Sequence, residues 1–424
     1  MTVTIKFNNL FIRILLAVTG LLICLVFASF VFSHFLIRNI ADRRIAMSLE
    51  VLNTAARRLP GSTRVQFRLA ETEIEAAAND SGKLASAQQR ALHTVNLSPW
   101  DYKNWRLLAL AKEADGNIEE AEAAIQVART LAPNHSEVNW MLANLLLRQN
   151  RQSEALNVFQ VATMNRSDLL PVALDLIWQA SGNDLAALNK LVNGNANAKL
   201  AEAQFLGEQS QPDSAISVFR SVDTLTKLTS PNAPAFITWL IQSNRGLEAR
   251  QLWLDVAGEK GNEGNGVWNG SFEQNAPKDF GHFDWAIKAS NYARIGFDRS
   301  VAHSGLKSLK LLFVGRDTTR LENEIQQLVV LKANVRYRLE CFAKTGNLVT
   351  PEGPRIALVG QKGILAVSQT VVTDSLSWQH LVADFTAPPE NTMAHISVVR
   401  IPKSDYDEPT KGAVWFDDFK LTEQ

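Results

Sequence analysis

Three patterns of apolar and polar positions succeed one another along the chain, and each predicts a different kind of element. From Ile14 to Ile37 the sequence ILLAVTGLLICLVFASFVFSHFLI carries no formal charge, and its polar side chains are Thr19, Ser29, Ser33 and His34. As a helix this segment spans ~36 Å, enough to cross a hydrocarbon core of ~30 Å. From residue 61 to 257 apolar positions recur at helical spacing, Ala and Leu abound, and strand-like alternation is scarce. Beyond residue 266 the period falls to two. In VRYRLECFAK, Val335, Tyr337, Leu339, Cys341 and Ala343 share one face, and Arg336, Arg338, Glu340, Phe342 and Lys344 share the other. Strands are also predicted over 308–314, 355–360, 379–387, 395–401 and 413–421, separated by turn signals such as HSG, KTGN, PEGP and APPEN. Short strands spaced in this way predict an antiparallel β-sandwich or jelly roll.

The helical part repeats with a step of 34 residues. Trp105, Leu108, Ala109, Gly116, Ala121, Ile125, Ala128 and Pro133 recur as Leu142, Ala143, Asn150, Ala155, Phe159 and Ala162, and earlier as Gly82, Ala87, Ala91 and Pro99. A later pair keeps the step, with Ala215, Phe219 and Val222 followed by Ala249, Trp253 and Val256. This pattern resembles the tetratricopeptide repeat. Alanines let paired helices approach closely, an aromatic or branched residue fills the remaining space, and glycine and proline end the helices. Residues 168–210 fit the repeat poorly, and NGNANAK is expected to contain a loop. The resemblance implies an α-solenoid whose curved surface takes protein partners.

The fold class is therefore multidomain α plus β. A short tail (1–13) precedes a transmembrane helix (14–37) and a juxtamembrane segment (38–60). Then come the tetratricopeptide-like helices (61–257), a glycine-rich linker (258–266) and the β-sandwich (267–424). A cleaved signal peptide would have a shorter apolar region and a small-x-small site, so an uncleaved anchor is favoured. Lys6 and Arg13 precede the span and Arg38, Arg43 and Arg44 follow it, a bias that weakly favours a cytoplasmic body.

Composition adds exclusions. The 43 basic and 43 acidic residues balance, which gives no electrostatic case for nucleic acid. Cys24 and Cys341 are too few and too distant for a disulfide framework and are expected to be packed thiols. The seven histidines show no metal-ligand spacing, and no phosphate loop or G-x-S-x-G elbow occurs. Asp417 and Asp418, adjacent on a predicted strand, are expected on opposite faces, so they do not form a catalytic pair. His303 is expected to hydrogen-bond the turn that follows it. The chain reads as non-catalytic.

NGSFE (269–273), HSGLKSLKL (303–311), the Trp378…Phe385 strand and the closing WFDDFKL together resemble carbohydrate-binding modules of the galactose-binding jelly-roll type, such as those appended to xylanases. The resemblance covers the C-terminal third and implies that NGSFE is the first strand. It also implies a structural calcium held by Glu273 and Asp417 with backbone carbonyls. Trp378 and Trp415 are expected to pack internally. Candidate sugar contacts are Tyr292, Arg294, Phe297, Arg316, Arg320, Phe342, Arg400 and Tyr406, in loops or on the second sheet face. Arginines in this set suit uronate-containing glycans, because guanidinium pairs bidentately with carboxylate. The expected partners are a polysaccharide or oligosaccharide, a protein at the helical repeats, and the membrane. The expected setting is the inner membrane with a periplasmic body, in the making, export or retention of surface polysaccharide. The alternative is a scaffold of an envelope assembly or secretion machine whose sandwich no longer binds sugar.

Overall fold

The apolar N-terminal segment forms one continuous helix, α1 (Leu10–Ala41), whose Ile14–Ser33 stretch is long and apolar enough to cross a membrane. Its apolar side chains, with Cys24 among them, are exposed rather than packed in a core, so Cys24 is not the buried thiol expected. The computed structural model describes residues 10–41, 47–77, 82–259, 266–373, 377–389 and 393–424. Arg43, Arg44 and most of the 258–266 linker lie outside the described residues. Within these, fifteen α-helices precede ten strands. The chain divides into two compact units, Met1–Leu191 and Val192–Gln424, a boundary well before the glycine-rich linker.

In the first unit, α2 (Leu49–Arg58) packs Leu52, Ala55 and Ala56 against Val65 and Leu69 of α3 (Thr63–Ala77). The repeat then appears as antiparallel hairpins: α5 (Tyr102–Ala114) with α6 (Ile118–Leu131), and α7 (Ser136–Arg148) with α8 (Gln152–Met164). Every alanine of the repeat in these four helices is buried, as are Ile125 and Phe159. The turns need the left-handed region at equivalent positions, supplied by Gly116 (φ 78°) and Asn150 (φ 59°). The poorly fitting stretch is helical too, in α9 (Leu170–Ala180) and α10 (Leu185–Leu191).

The second unit begins with α11 (Ala196–Glu208), which starts inside the NGNANAK segment, and continues through α12 (Pro212–Arg220), α13 (Thr224–Thr229), α14 (Asn232–Gln242) and α15 (Gly246–Ala257). Two five-stranded antiparallel sheets follow. One has the order β1 (Ala286–Ile287), β4 (Ile325–Val330), β9 (Met393–Val399), β6 (Arg355–Gly360), β7 (Gly363–Val367). The other runs β2 (Ala293–Asp298), β3 (Ser308–Arg316), β10 (Thr410–Glu423), β5 (Arg336–Val349), β8 (Gln379–Thr386). Tyr337, Leu339, Cys341 and Ala343 point into the shared core, as their alternation predicts.

The last helix packs against the residues that lead into the sandwich. Trp253 of α15 is fully buried, its ring meets Trp268 at 5.1 Å and Phe283 at 5.5 Å, and its indole donates to the Phe280 carbonyl at 2.7 Å. The Trp268 amide donates to Gln327 of β4 at 3.3 Å, and the Gln327 side chain returns a bond to the Trp268 carbonyl at 2.6 Å. Gly246 lies so close to Met393 that a Cβ would stand 2.7 Å from its side chain.

NGSFE is not the first strand. Asn269 (φ 56°) and Phe272 (φ 63°) place it in a tight turn, and the first strand is β1. Gly270 is required there, because a Cβ would lie 2.0 Å from the Phe419 carbonyl oxygen. The close approach lets Gly270 accept the Phe419 amide at 3.0 Å.

Candidate functional site

Three of the segments that carry the carbohydrate-module resemblance meet at one loop, residues 303–307. Glu273 accepts the amides of Leu306 (2.7 Å) and Lys307 (2.9 Å) on one oxygen. Asp417 accepts those of His303 (2.8 Å) and Ser304 (3.3 Å) on Oδ2, and that of Asp418 (2.9 Å) on Oδ1. Asp418 takes the His303 Nδ1 at 2.5 Å and the Ser304 hydroxyl at 2.6 Å. Gly305 (φ 62°) completes the loop, since a Cβ there would stand 2.6 Å from Glu273 Oε1.

Two sequence expectations change here. Asp417 and Asp418 do not diverge to opposite faces: β10 has a register shift between Asp417 and Lys420, and Asp418 adopts φ 53°, so both carboxylates reach the same loop. His303 bonds Asp418, not the turn that follows it.

The calcium implied at Glu273 and Asp417 does not fit this donor set. Their engaged oxygens already face the positive ends of N–H dipoles, where a cation would be repelled. Among the described residues no group of three or more His, Cys, Asp and Glu side chains is placed to hold a metal ion. The bonds themselves join the N-terminal turn, the loop and the last strand. Burial pushes the Asp417 carboxyl up to about 6, with the neighbouring Asp418 charge adding to the shift and the amide donors of His303 and Ser304 opposing it.

The pinned loop holds His303 on the outer face of the β2–β3–β10–β5–β8 sheet. Its imidazole lies parallel to the Phe342 ring at 3.8 Å, and Trp378 meets it edge-on at 5.4 Å. His380 of β8 is also parallel to Phe342, at 5.0 Å, and its Nε2 contacts Glu340 at 3.1 Å. Further along the same face Trp415 rests on Gly346, where a Cβ would approach the indole to 2.8 Å. Lys310 stands 5.1 Å from that ring, and the indole N–H donates to Asp298 at 3.0 Å. Lys310, with Ser300 and Trp415, holds the Asp298 carboxyl far below the usual carboxylate range. The face thus presents flat rings beside fixed donors and acceptors, the combination that sugar C–H stacking and hydroxyl recognition require.

Trp378 and Trp415 are half-buried on this face rather than packed inside. Sequence reasoning missed them together with His303 and His380. Phe342 is on the face, but an imidazole covers its ring, so it supports the surface and does not offer an open ring as expected. Arg400 is a clear correction. It is fully buried, its guanidinium bonds Asp407 at 2.8 Å, the Glu352 carbonyl at 3.2 Å and the Thr319 carbonyl, and it ties together two loops at one end of the sandwich. A fully buried arginine engaged by these partners is out of reach of sugar. Tyr406 (68% exposed) and Arg316 are exposed near that end, and Arg320 pairs with Glu322 at 3.1 Å. Arg294 is exposed on β2, Tyr292 is half-buried just before it, and Phe297 is exposed with the Lys307 ammonium 5.0 Å from its ring. The candidates therefore do not converge on one pocket.

In the first unit, Arg106, Leu110 and Glu113 of α5, Glu137, Trp140 and Asn144 of α7, and Arg166 line a groove of about 380 Å³. Arg106 and Glu137 are 3.2 Å apart across it. The groove mixes partly exposed apolar side chains with charges of both signs.

No family model matches the sequence, and no curated protein does. Among solved structures, 54% of the chain is similar to 37% of a chain in the structure of Naa15/Naa10 bound to HypK-THB, at 16% identity and a TM-score of 0.30. A CBM4 structure matches over 99% of its own length and 37% of this chain, at 18% identity and a TM-score of 0.27. TmCBM61 in complex with β-1,4-galactotriose matches over 99% of its length and 38% of this chain, at 18% identity and a TM-score of 0.23.

Proposed function

We propose that the chain is a non-catalytic, membrane-anchored envelope protein that binds glycan through its β-sandwich and protein partners through its helical repeats. The observation that carries the glycan reading is the outer sheet face, where carboxylate-pinned backbone holds His303, a glycine seat holds Trp415, and Trp378 stands edge-on to the His303 ring. Side chains fixed in this way lose little entropy on binding. The anchor reading rests on α1, and the protein-binding reading on the groove between α5 and α7. Its biological setting is the synthesis, export or retention of surface polysaccharide, with the body outside the cytoplasm, where such glycans are met.

The purified full-length chain is expected to bind a subset of polysaccharides on a glycan array, and Trp378→Ala to weaken that binding roughly tenfold, the equivalent of ~1.4 kcal/mol for one lost stacking surface. Array binding that is unchanged by Trp378→Ala would place the sugar elsewhere. The cover over Phe342 and the burial of Arg400 favour a second reading, a scaffold without sugar binding. That reading predicts an empty array together with stable protein partners that are lost when Arg106 and Trp140 are replaced by alanine.

A further inference from the structure

Beside the membrane-spanning stretch of α1 lies a notch of about 300 Å³, lined by Phe32 of α1 and by Glu50, Val51, Thr54, Ala55 and Arg58 of α2. Val51, Thr54, Ala55 and Arg58 follow the i, i+3, i+4, i+7 spacing that puts them on one side of α2. The adjoining side of that helix, through Leu52, Ala55 and Ala56, is buried against α3, so Ala55 forms the floor of the notch.

Depth in the bilayer follows from Phe32, the next-to-last residue of the Ile14–Ser33 span. Helix α1 continues from His34 to Ala41, ~12 Å beyond that span. Yet the Arg58 guanidinium stands 5.8 Å from the centre of the Phe32 ring. The C-terminal end of α2 therefore places Arg58 beside the last turn of the span, at the hydrocarbon boundary and within side-chain reach of the lipid phosphates just outside it.

The groups in the notch are suited to one kind of ligand. Arg58 is exposed and has no carboxylate partner among the described residues, and a guanidinium binds phosphate oxygens through paired donors. Phe32 (48% exposed) offers apolar surface beside it, and Val51 (48% exposed) continues the apolar lining towards Glu50. Glu50 closes the other end, about two helical turns from Arg58, and its charge disfavours a head group that is purely anionic. A head group with a phosphate at one end and an ammonium at the other satisfies both.

We propose that this notch binds one phospholipid of the surrounding bilayer, of the ethanolamine class, with its phosphate on Arg58, its ammonium on Glu50 and its upper acyl chain along Phe32. The site rests on the reading of α1 as a membrane anchor and adds a lipid ligand to it. It would fix the orientation of α2, and with it the first unit, against the membrane surface.

The test uses the full-length chain reconstituted in bilayers of equal parts phosphatidylethanolamine and phosphatidylglycerol, then released for native mass spectrometry. The wild type is expected to retain one phosphatidylethanolamine in preference to phosphatidylglycerol. Arg58→Gln is expected to reduce total lipid retention at least tenfold, and Glu50→Gln to shift the preference towards phosphatidylglycerol while keeping retention. Both side chains are exposed, so circular dichroism of the variants should match the wild type. Equal retention by wild type and Arg58→Gln, or a wild-type preference for phosphatidylglycerol, would overturn the proposal and leave the anchor intact. A chain that washes out of membranes at alkaline pH would overturn the anchor and the lipid site together.

Discussion

Replacing Trp253 by alanine is expected to destabilise the second unit by about 3–5 kcal/mol, the usual cost of removing a large aromatic side chain from a packed core. In a unit of this size that corresponds to a fall in melting temperature of about 10 °C. The size of the effect follows from the surroundings of the ring: full burial, two aromatic neighbours and a satisfied indole N–H. Where the loss appears is more informative than its size. Trp253 belongs to a helix, but Trp268 and Phe283 belong to the approach to the sandwich, and Trp268 exchanges hydrogen bonds with Gln327 on β4. Amide exchange in Ile325–Val330 should therefore accelerate in the variant. Faster exchange confined to α14 and α15, with the strands unchanged, would show that the helices and sandwich unfold separately.

Asp417→Ala should have the second largest effect. Its fully buried carboxylate is the acceptor for three backbone amides in part-buried hydrogen bonds, and orphaning such donors costs about 1 kcal/mol each, the low end of the range for buried groups. A loss of about 3 kcal/mol is expected. The same change frees residues 303–307, so His303 should leave the Phe342 ring and any glycan affinity should fall with it. Asp417→Asn separates charge from hydrogen bonding. The Asp417 carboxyl is raised from 3.8 when unfolded to about 6 when folded, so the folded state holds its proton more tightly. The favourable contribution is complete below about pH 4 and is lost as pH rises towards 6. Stability of the wild type relative to Asp417→Asn should fall across that interval and level off above it. A difference that grows with pH would mean that the amide donors outweigh burial.

Much of the fold was legible because its signals are local. The 34-residue step located the hairpins, since alanine at fixed positions is what close helix packing needs, and Asn150 could stand for glycine because asparagine tolerates positive φ. Strand β5 was legible because its buried and exposed residues alternate over much of its length. The strands that were missed are the short β1 and β7 and the six-residue β2 and β4. Strand β4 alternates in burial, but one of its buried residues is Gln327, so its sequence shows no alternation of apolar and polar positions. NGSFE was misread because only its backbone angles reveal a turn. The functional surface was harder. Glu273, Asp417 and the HSG loop were marked by resemblance, but their carboxylates bind amides where calcium was expected. The bulge that turns Asp418 towards His303 leaves no mark in a pattern of alternation. Arg400 looked like a surface cation at a strand end; its partner Asp407 lies in the KSDYDEP loop, and only the chain's return beside β9 brings them together. His303 and His380 come from a loop and a strand far apart in sequence, and their stacking on Phe342 exists only once β10, β5 and β8 are adjacent.

The central claim is that a rigid aromatic and imidazole face on the five-stranded β2–β3–β10–β5–β8 sheet meets sugar. Hydrogen–deuterium exchange of the full-length chain, with and without a polysaccharide identified on the array, tests it directly. The account predicts that added glycan slows exchange at residues 303–307, 340–346 and 379–382 and leaves the α5–α8 hairpins unchanged. Protection confined to the helical hairpins, or to the Arg316–Tyr406 end of the sandwich, would contradict it.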